Sequence, residues 1–343
     1  MEKRERLLLR TVLSRHITWN GLPCSTVLFE MISVLIFTKN EELDLPGCLE
    51  SVSWSDDVHV FDSFSSDETV GIATRSGAHV QQRIFDNYAA QKNAGLKSGR
   101  FRHEWVVLLD ADERIPKPLA QEMMRFAVET SPTISAARLR RRDFFMGTWL
   151  KHAQISPFYI RLVRPEKVHY EREVNEVLKV EGHVSELREP FDHFPFSKGV
   201  GHWIEKHNTY STMEARITFD SRQSGQRFSF WKAAFAKDFH ERRYHQKGIS
   251  LRLPCRPFIK FGYMFLVRRA FLDGKAGLAY AILQSFYEYW IILKTGELES
   301  AFLKHRQVPA RDRREAPPGK ARSGAVSLST PAAESKLEAD PLG

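Results

Sequence analysis

The sequence predicts an α/β fold whose core is a mostly parallel sheet flanked by helices, followed by a helical C-terminal region. Apolar strand-like runs alternate with helix-like stretches between residue 31 and about residue 130, which is typical of βαβ units. The runs are apolar on both faces, as expected for strands that helices cover on both sides. Both observations favour a doubly covered, mostly parallel sheet.

The predicted elements follow in order from the first apolar run, ISVLIF, and each strand ends in a polar turn. The strands are predicted at 32–37, 57–62, 79–83 and 105–110. The intervening helices are predicted at 45–52, 69–76 and 87–98, with one more after Pro116. Residues 133–195 indicate short strands and loops, and residues 202–245 indicate polar helices.

The length of 343 residues suggests about two domains, and the composition excludes a collagen-like, coiled-coil or wholly disordered chain. We divide the chain into an N-terminal extension, a main α/β domain, a basic and aromatic helical region and a disordered tail. These segments are residues 1–30, 31–215, 216–300 and 301–343. The three cysteines, Cys24, Cys48 and Cys255, form no CxxC motif, which fits a reducing compartment.

The net charge of +9 is concentrated in one segment. Residues 222–275 contain 13 Lys and Arg against 3 Asp and Glu, so the rest of the chain is nearly neutral. A basic segment suits a nucleic acid or an anionic membrane surface. Here the basic residues alternate with bulky apolar side chains and no nucleic-acid motif is present, so we expect a membrane surface and no nucleic acid.

Three predicted strands end in acidic or polar clusters, TKNEE, FDSFSSDET and LLDADE. Because ligands of open α/β sheets bind at the carboxyl ends of the strands, these clusters predict a binding site at one sheet edge. The alternative for any single cluster is a helix N-cap, for example Asp67 with Ser66. In LLDADE, Asp110 and Asp112 supply the oxygen ligands that Mg²⁺ or Mn²⁺ prefers.

The motifs SVLIFTKNEE, VHVFDSFSSDET, NYAAQKNAGL and WVVLLDADE resemble those of inverting family 2 glycosyltransferases with a GT-A fold. The resemblance extends to about residue 295 and is closer to bacterial lipopolysaccharide-core β-glucosyltransferases. In those enzymes a His-Glu pair commonly stands where this chain has Asn175 and Glu176. The resemblance implies a GT-A fold and a nucleotide-sugar donor.

The resemblance also implies roles for individual residues. The implied nucleotide-sugar pocket consists of Thr38, Asn40, Glu41, Asp62, Ser63, Lys92, Asn93 and Asp110. Asp112 would bind the metal, and Glu113 would line the side of the pocket that faces the sugar. Arg161 would face the diphosphate, since guanidinium pairs well with phosphate oxygens, although a surface strand of alternating charges is an equal alternative.

An inverting transfer needs a carboxylate that takes the proton from the acceptor hydroxyl. The resemblance places Glu176 in this role, and Glu113 is the second candidate. The alternative for Glu176 is a solvated residue in the charged stretch EREVNE. His193 and His202 are potential metal ligands, but a lone histidine is more often structural.

The region 251–293 predicts amphipathic helices that lie in a membrane interface. In a helix from about residue 257, Phe258, Phe261 and Phe265 would share one apolar face, with Leu272 as a further candidate. The alternative is a buried helical hairpin. The stretch 277–293 is marginal for spanning a bilayer because it contains Gln284 and Glu288.

We therefore expect a hexosyltransferase that uses a UDP-sugar, Mg²⁺ or Mn²⁺ and a lipid-linked or lipopolysaccharide-core glycan acceptor. It would be cytoplasmic and peripheral on the inner face of the plasma membrane. The alternatives are a non-catalytic, membrane-associated nucleotide-sugar-binding protein and, with less support, a nucleic-acid-binding protein.

Overall fold

The computed structural model describes residues 32–171, 177–224, 227–236, 238–250, 253 and 255–307. The predicted extension 1–30 and residues 308–343 of the predicted tail lie outside the described residues. So does Glu176, the residue that the resemblance places as the base.

The first half of the chain alternates strands and helices as predicted, with boundaries that agree to within a few residues. Its strands are β1 (Ile32–Thr38), β2 (Val58–Asp62), β3 (His79–Gln82), β4 (Trp105–Asp110) and β5 (Glu113–Arg114). Its helices are α1 (Leu45–Ser51), α2 (Thr69–Arg75), α3 (Tyr88–Ser98) and α4 (Lys117–Glu129).

The second half begins with strands and ends with helices. Its strands are β6 (Ile134–Phe145), β7 (Thr148–Trp149), β8 (Phe158–Val163), β9 (Val168–Glu171), β10 (Val177–Val180), β11 (His183–Glu186) and β12 (Phe191–His193). Its helices are α5 (Gly199–Gln223), α6 (Phe230–Phe235), α7 (Phe239–Ser250), α8 (Arg256–Gly262) and α9 (Gly274–Gln307). Between α8 and α9 lie a π-helical turn, Tyr263–Val267, and a 3₁₀ turn, Ala270–Asp273.

Ten of the described strands belong to one sheet with the path β3-β2-β1-β4-β8-β6-β12-β5, to which β7 and β11 add by pairing with β6. Strands β1 to β4 pair in parallel, whereas β8 runs antiparallel to both β4 and β6. The α/β fold with a mostly parallel N-terminal half flanked by helices is therefore confirmed. The insertion of β8 beside β4 brings the second half of the chain against the predicted site.

Two apolar cores cover the two faces of the parallel strands, which explains why these strands are apolar throughout. Alternate residues of β1 point to opposite faces: Ile32, Val34 and Ile36 belong to one core, and Leu35 and Phe37 to the other. Helices α1 and α4 close the first core, and α3 and β9 close the second.

A third core joins the C-terminal helices to the α/β domain. It contains Phe145 and Leu150, from β6 and the segment after β7, together with Met264 and Tyr280. Helix α5 crosses the predicted domain boundary at residue 215, and α9 packs along α5. The C-terminal region is thus helical, as predicted, and it shares a core with the α/β domain.

Three details of the C-terminal prediction are wrong. The expected single helix from residue 257 is divided into α8, the π turn and the 3₁₀ turn. Its expected apolar face is also divided, since Phe258 is exposed while Phe261 and Phe265 pack against the third core. The predicted tail begins too early, because α9 continues to Gln307. Within the described residues, no helix has the length and apolarity needed to span a bilayer.

Candidate active site

The polar ends of β1, β2 and β4 lie side by side, as the sequence predicts. Residue Thr38 is in register with Asp62, and Phe37 is in register with Asp110. Because the three strands are parallel, the turns that follow them leave the sheet at the same edge. This edge, with the turns that follow the three strands, is the candidate site.

Asp62 is the polar centre of the turn that follows β2. Its carboxylate accepts hydrogen bonds from Thr38 Oγ1 at 2.9 Å, Gln82 Nε2 at 2.9 Å and the backbone N–H of Ser65 at 2.8 Å. Ser63 is also buried, and its Oγ accepts a bond from Gln91 Nε2. Asp62 has no exposed surface, so in this geometry it shapes the turn, and its contact with a nucleotide stays a prediction.

The turn after β1 is tied to the start of α5. Asn40 adopts a positive φ of 54°, a conformation that asparagine tolerates better than most residues, and its Oδ1 accepts the N–H of Ser66 at 2.8 Å. Lys198 Nζ donates to the carbonyl oxygen of Asn40 at 2.8 Å and lies 2.9 Å from Glu41 Oε2. The segment after β12 therefore closes over the turn that follows β1.

The turn after β4 contains a buried ion-pair network. Arg161 Nη2, from β8, lies 3.2 Å from Asp110 Oδ2 and also contacts Glu113 Oε1. The other oxygen of Glu113 accepts the N–H of Asp110 at 3.0 Å. All three side chains are at least nine-tenths buried.

This network differs from two of the expectations. Glu113 has no exposed surface, so it fixes the turn and does not line an open sugar-facing wall. Arg161 was expected against the diphosphate or, equally, on a surface strand of alternating charges. Its guanidinium is buried and pairs with both carboxylates, so the surface strand is wrong, and the contact with the diphosphate stays a prediction. The guanidinium is buried because β8 lies beside β4 in the sheet. A role for Asp110 in binding the sugar or the ribose stays a prediction.

Asp112 is more accessible than its neighbours and lies beside a histidine. Its Oδ2 is 3.5 Å from His193 Nε2, and 17% of its side chain is exposed. The other ring nitrogen, His193 Nδ1, lies 2.5 Å from Asp143 Oδ1. Asp143 in turn pairs with Arg141 Nε at 3.0 Å. Asp143 thus orients the imidazole so that Nε2 points to Asp112.

The pKa values of these groups reflect burial and charge together. Burial and Arg141 lower the pKa of His193, but the carboxylates of Asp112 and Asp143 outweigh them and raise it to about 10. Burial acts to raise the pKa of Asp143, and Arg141 and His193 reverse this to a net decrease. Burial raises the pKa of Asp44, with Asp112 adding to the effect against a hydrogen bond from Ser197. The site without ligands is therefore a network of charged and strongly coupled groups.

Lys92 and Asn93 lie against β9 in the described structure. Asn93 Nδ2 donates to the carbonyl oxygen of Tyr170 at 2.8 Å, and Asn93 Oδ1 accepts the N–H of Tyr170 at 2.7 Å. Lys92 Nζ lies 5.2 Å from the centre of the Tyr170 ring. The amide of Asn93 thus holds α3 to β9. The expected place of Lys92 and Asn93 near the nucleotide or diphosphate stays a prediction.

The fold brings three further residues to the site that no pattern in the sequence indicated: Asp44, Asp143 and Lys198. Ser197 Oγ donates to Asp44 Oδ2 at 2.8 Å, which anchors the segment before Lys198. These residues come from three separate parts of the chain, so no local motif marks them. His193 was considered as a potential metal ligand, and its position beside Asp112 makes it part of the site.

Comparison with known proteins agrees with this geometry. The sequence family Glycosyl transferase family 2 matches residues 33–184, which include β1 to β4 and the turns at their ends. This chain carries a family 2 glycosyltransferase domain. The residues of the candidate site on β1, β2, β4 and β8 all belong to that domain.

Several relatives of this glycosyltransferase are themselves described as glycosyltransferases. An uncharacterised glycosyltransferase of Rickettsia conorii is 26% identical over 84% of this chain and 96% of its own length. The lipopolysaccharide core biosynthesis glycosyltransferase LpsC of Rhizobium meliloti is 28% identical over 64% of this chain and 82% of its own length. These relatives favour an enzyme over a non-catalytic nucleotide-sugar-binding protein.

Among solved structures, part of the transferase is similar to part of glucosyl-3-phosphoglycerate synthase of Mycobacterium tuberculosis. One structure, with Mn²⁺ and UDP-glucose bound, is 23% identical over 38% of this chain and 51% of that chain, with a TM-score of 0.28. A second, with phosphoglyceric acid, is 20% identical over 43% of this chain and 64% of that chain, with a TM-score of 0.31.

Proposed function

We propose that this glycosyltransferase moves a hexose from a UDP-sugar to a hydroxyl of a lipid-linked or lipopolysaccharide-core glycan, with inversion at the anomeric carbon. The observation that carries the proposal is the position of Asp112, an accessible carboxylate at the carboxyl end of β4 with His193 beside it. The family 2 domain and the likeness to LpsC support the choice of reaction and acceptor class.

The donor set at Asp112 fits a divalent cation that is shared with a diphosphate. Among the described residues, no group of three or more His, Cys, Asp or Glu side chains is spaced to hold a metal ion. Mg²⁺ is usually bound through one or two carboxylates together with substrate phosphates, so a site with few protein ligands suits it. Asp112 would hold Mg²⁺ or Mn²⁺, with the diphosphate oxygens among the other ligands.

When bound, the cation neutralises the diphosphate and so makes UDP a better leaving group. The protein's own contribution is a fixed frame for this reaction. Arg161 and Glu113 hold the turn that carries Asp112, and Asp143 holds the ring of His193. Such a frame places the reacting groups before the substrate arrives, which lowers the entropic part of the barrier.

The base of the reaction is proposed from the resemblance alone, since Glu176 lies outside the described residues. Glu176 is the choice because Glu113, the other candidate, is fully buried and paired with Arg161. General-base catalysis contributes about 10²- to 10⁴-fold to a rate. We therefore expect Glu176→Gln to lower the transfer rate by about that factor while the affinity for UDP stays unchanged.

The membrane-surface partner and the cytoplasmic location on the inner face of the plasma membrane also belong to this proposal. They are supported by the +10 charge of residues 222–275 and by the aromatic side chains among these charges. Each Lys or Arg near an anionic leaflet contributes about 1 kcal/mol to binding.

The experiment is a donor screen with the full chain. UDP release from a panel of UDP-hexoses is measured with Mg²⁺, with Mn²⁺ and with EDTA. The control variant is Glu166→Gln, which changes an exposed carboxylate of the same domain and should behave as the wild type. We expect one UDP-hexose to be hydrolysed or transferred only with the cation. UDP release that is equal with EDTA, or absent for every donor, would refute the proposal.

A further inference from the structure

The segment 256–275, between α8 and the start of α9, presents large apolar side chains to solvent. Phe258 is 79% exposed, Leu266 66%, Val267 69% and Leu272 56%. Phe258 belongs to α8, Leu266 and Val267 to the π turn, and Leu272 to the 3₁₀ turn, so the four lie close together along the chain. We call these four side chains the apolar ridge.

The charge around the apolar ridge is positive. Lys260, Arg268, Arg269 and Lys275 belong to the same segment, and its one acidic residue is Asp273, which is buried. Apolar side chains surrounded by Lys and Arg are typical of surfaces that lie in the headgroup region of an anionic bilayer. Charge complementarity therefore favours an anionic lipid surface as the occupant of the ridge.

Asp273 fastens this segment to the loop that follows β7. One of its carboxylate oxygens accepts the N–H of His152 at 2.8 Å and the N–H of Ala153 at 2.6 Å, and the other lies 2.7 Å from His152 Nδ1. Arg268 Nε donates to the carbonyl oxygen of His152 at 3.1 Å. We call these four contacts the clamp.

The other end of the same loop touches the candidate active site. The N–H of Leu150 donates to the carbonyl oxygen of Asp143 at 2.9 Å. The carboxylate of Asp143 contacts His193, which lies beside Asp112. Residues 150–153 are therefore held between the site at one end and the segment that carries the apolar ridge at the other.

We propose that the apolar ridge docks on an anionic bilayer. Because the clamp joins the ridge segment to the loop 150–153, docking also fixes this loop at one height above the membrane. Asp273 and Arg268 are positioning residues in this proposal. It rests on the proposed function, because a fixed height matters for an enzyme whose acceptor is presented at a lipid surface.

Hydrogen exchange of the full chain tests the coupling, with and without vesicles of phosphatidylethanolamine and phosphatidylglycerol. In the wild type, we expect the vesicles to slow exchange in 256–272 and also in 150–154. In Asp273→Asn, slowing should remain in 256–272 and disappear from 150–154. In Arg268→Lys, which keeps the positive charge and changes one of the four clamp contacts, slowing should remain in 256–272 and decrease in 150–154. Asp220→Asn, an exposed carboxylate on α5, should behave as the wild type.

The proposal is overturned if vesicles leave 256–272 of the wild type unchanged, or if 150–154 responds equally in the wild type and in both clamp variants. Arg268→Lys keeps the test decisive if Asp273→Asn does not fold. UDP-hexose hydrolysis without vesicles measures the proposed function separately. Hydrolysis without any vesicle response contradicts the docking alone, whereas absent hydrolysis contradicts the proposed function.

Vesicle flotation tests the surface itself. Leu266→Glu and Val267→Glu should each weaken binding to the anionic vesicles by roughly tenfold, because each places a carboxylate where an apolar group enters the interface. Val128→Glu, a half-exposed valine on α4, should leave binding unchanged. Equal binding of the ridge variants and the control, or self-association through the ridge in place of vesicle binding, would contradict the proposal.

Discussion

The turn after β4 and the segment 256–275 differ in what they bury, since the turn buries carboxylates and the segment exposes apolar side chains. In the turn, the carboxylates of Asp110 and Glu113 are buried and both pair with Arg161. In the segment, apolar side chains are exposed and the one carboxylate, Asp273, is used to fasten a loop. The first arrangement preorganises a site for a polar ligand. The second suits a surface that is covered when it docks on a bilayer.

The largest effect on stability is expected at Arg161. Replacement by Met leaves two buried carboxylates without their cation, and breaking a buried pair in this way costs about 3–5 kcal/mol. We expect Arg161→Met to lower the free energy of unfolding by about that amount. Urea denaturation followed by circular dichroism measures it.

The matched control for this prediction is Arg138→Met. Arg138 pairs with Glu186 at 2.8 Å on the surface, where both side chains are about half exposed. Exposed pairs contribute about 0–1 kcal/mol, so the control should change little. If the two variants lose similar stability, the buried network is not what distinguishes the turn.

An intermediate effect is expected at His207, in the contact between α5 and α9. Burial lowers the pKa of His207 from 6.5 to about 4, although its hydrogen bond to the carbonyl oxygen of Trp203 acts in the opposite direction. Its ring also stacks on Trp203, with the ring centres 3.5 Å apart. Because the folded state favours the neutral ring, the contribution to stability is full above pH 6.5 and is lost as the pH falls to 4.

This loss should reach about 3 kcal/mol and should be absent in His207→Phe, which keeps an aromatic ring and does not titrate. Urea denaturation at a series of pH values between 4 and 7 measures it. A wild-type stability that falls no faster than that of His207→Phe over this range would show that the interior of this helical contact is more hydrated than the structure indicates.

The smallest effect is expected on the apolar ridge. Val267→Ser removes an exposed side chain that supports no core, so the free energy of unfolding should change by about 0.5 kcal/mol or less. The thermal midpoint of the full chain without vesicles measures this. A large decrease would mean that the ridge is part of the folded core, and the contrast between the two regions would be lost.

The first half of the fold could be predicted because its signals are local. The apolar runs, their polar ends and the order of strands and helices all lie within about 100 consecutive residues. Parallel pairing of the strands then brings their polar ends together. The metal-site prediction at Asp112 rests on the same logic. Its role as a ligand stays a prediction, and the exposure of its side chain agrees with that role.

The remainder depends on contacts between distant segments. Arg161 turns inward because β8 lies beside β4, and no pattern in the sequence specifies that neighbour. Asp143 meets His193 only because β12 pairs with β6. The expected apolar face from residue 257 assumed one straight helix, and the π turn changes the direction of every side chain after Gly262.

Binding of UDP in the presence of Mn²⁺ tests most directly that Asp112 forms the donor site. Calorimetric titration compares the wild type, Asp112→Asn and the control Glu166→Gln, each with Mn²⁺ and with EDTA. We predict that the wild type and the control bind UDP in a manner that needs Mn²⁺, and that Asp112→Asn binds at least about tenfold more weakly. Equal affinity of Asp112→Asn and the wild type, or binding that is unaffected by EDTA, would contradict the account.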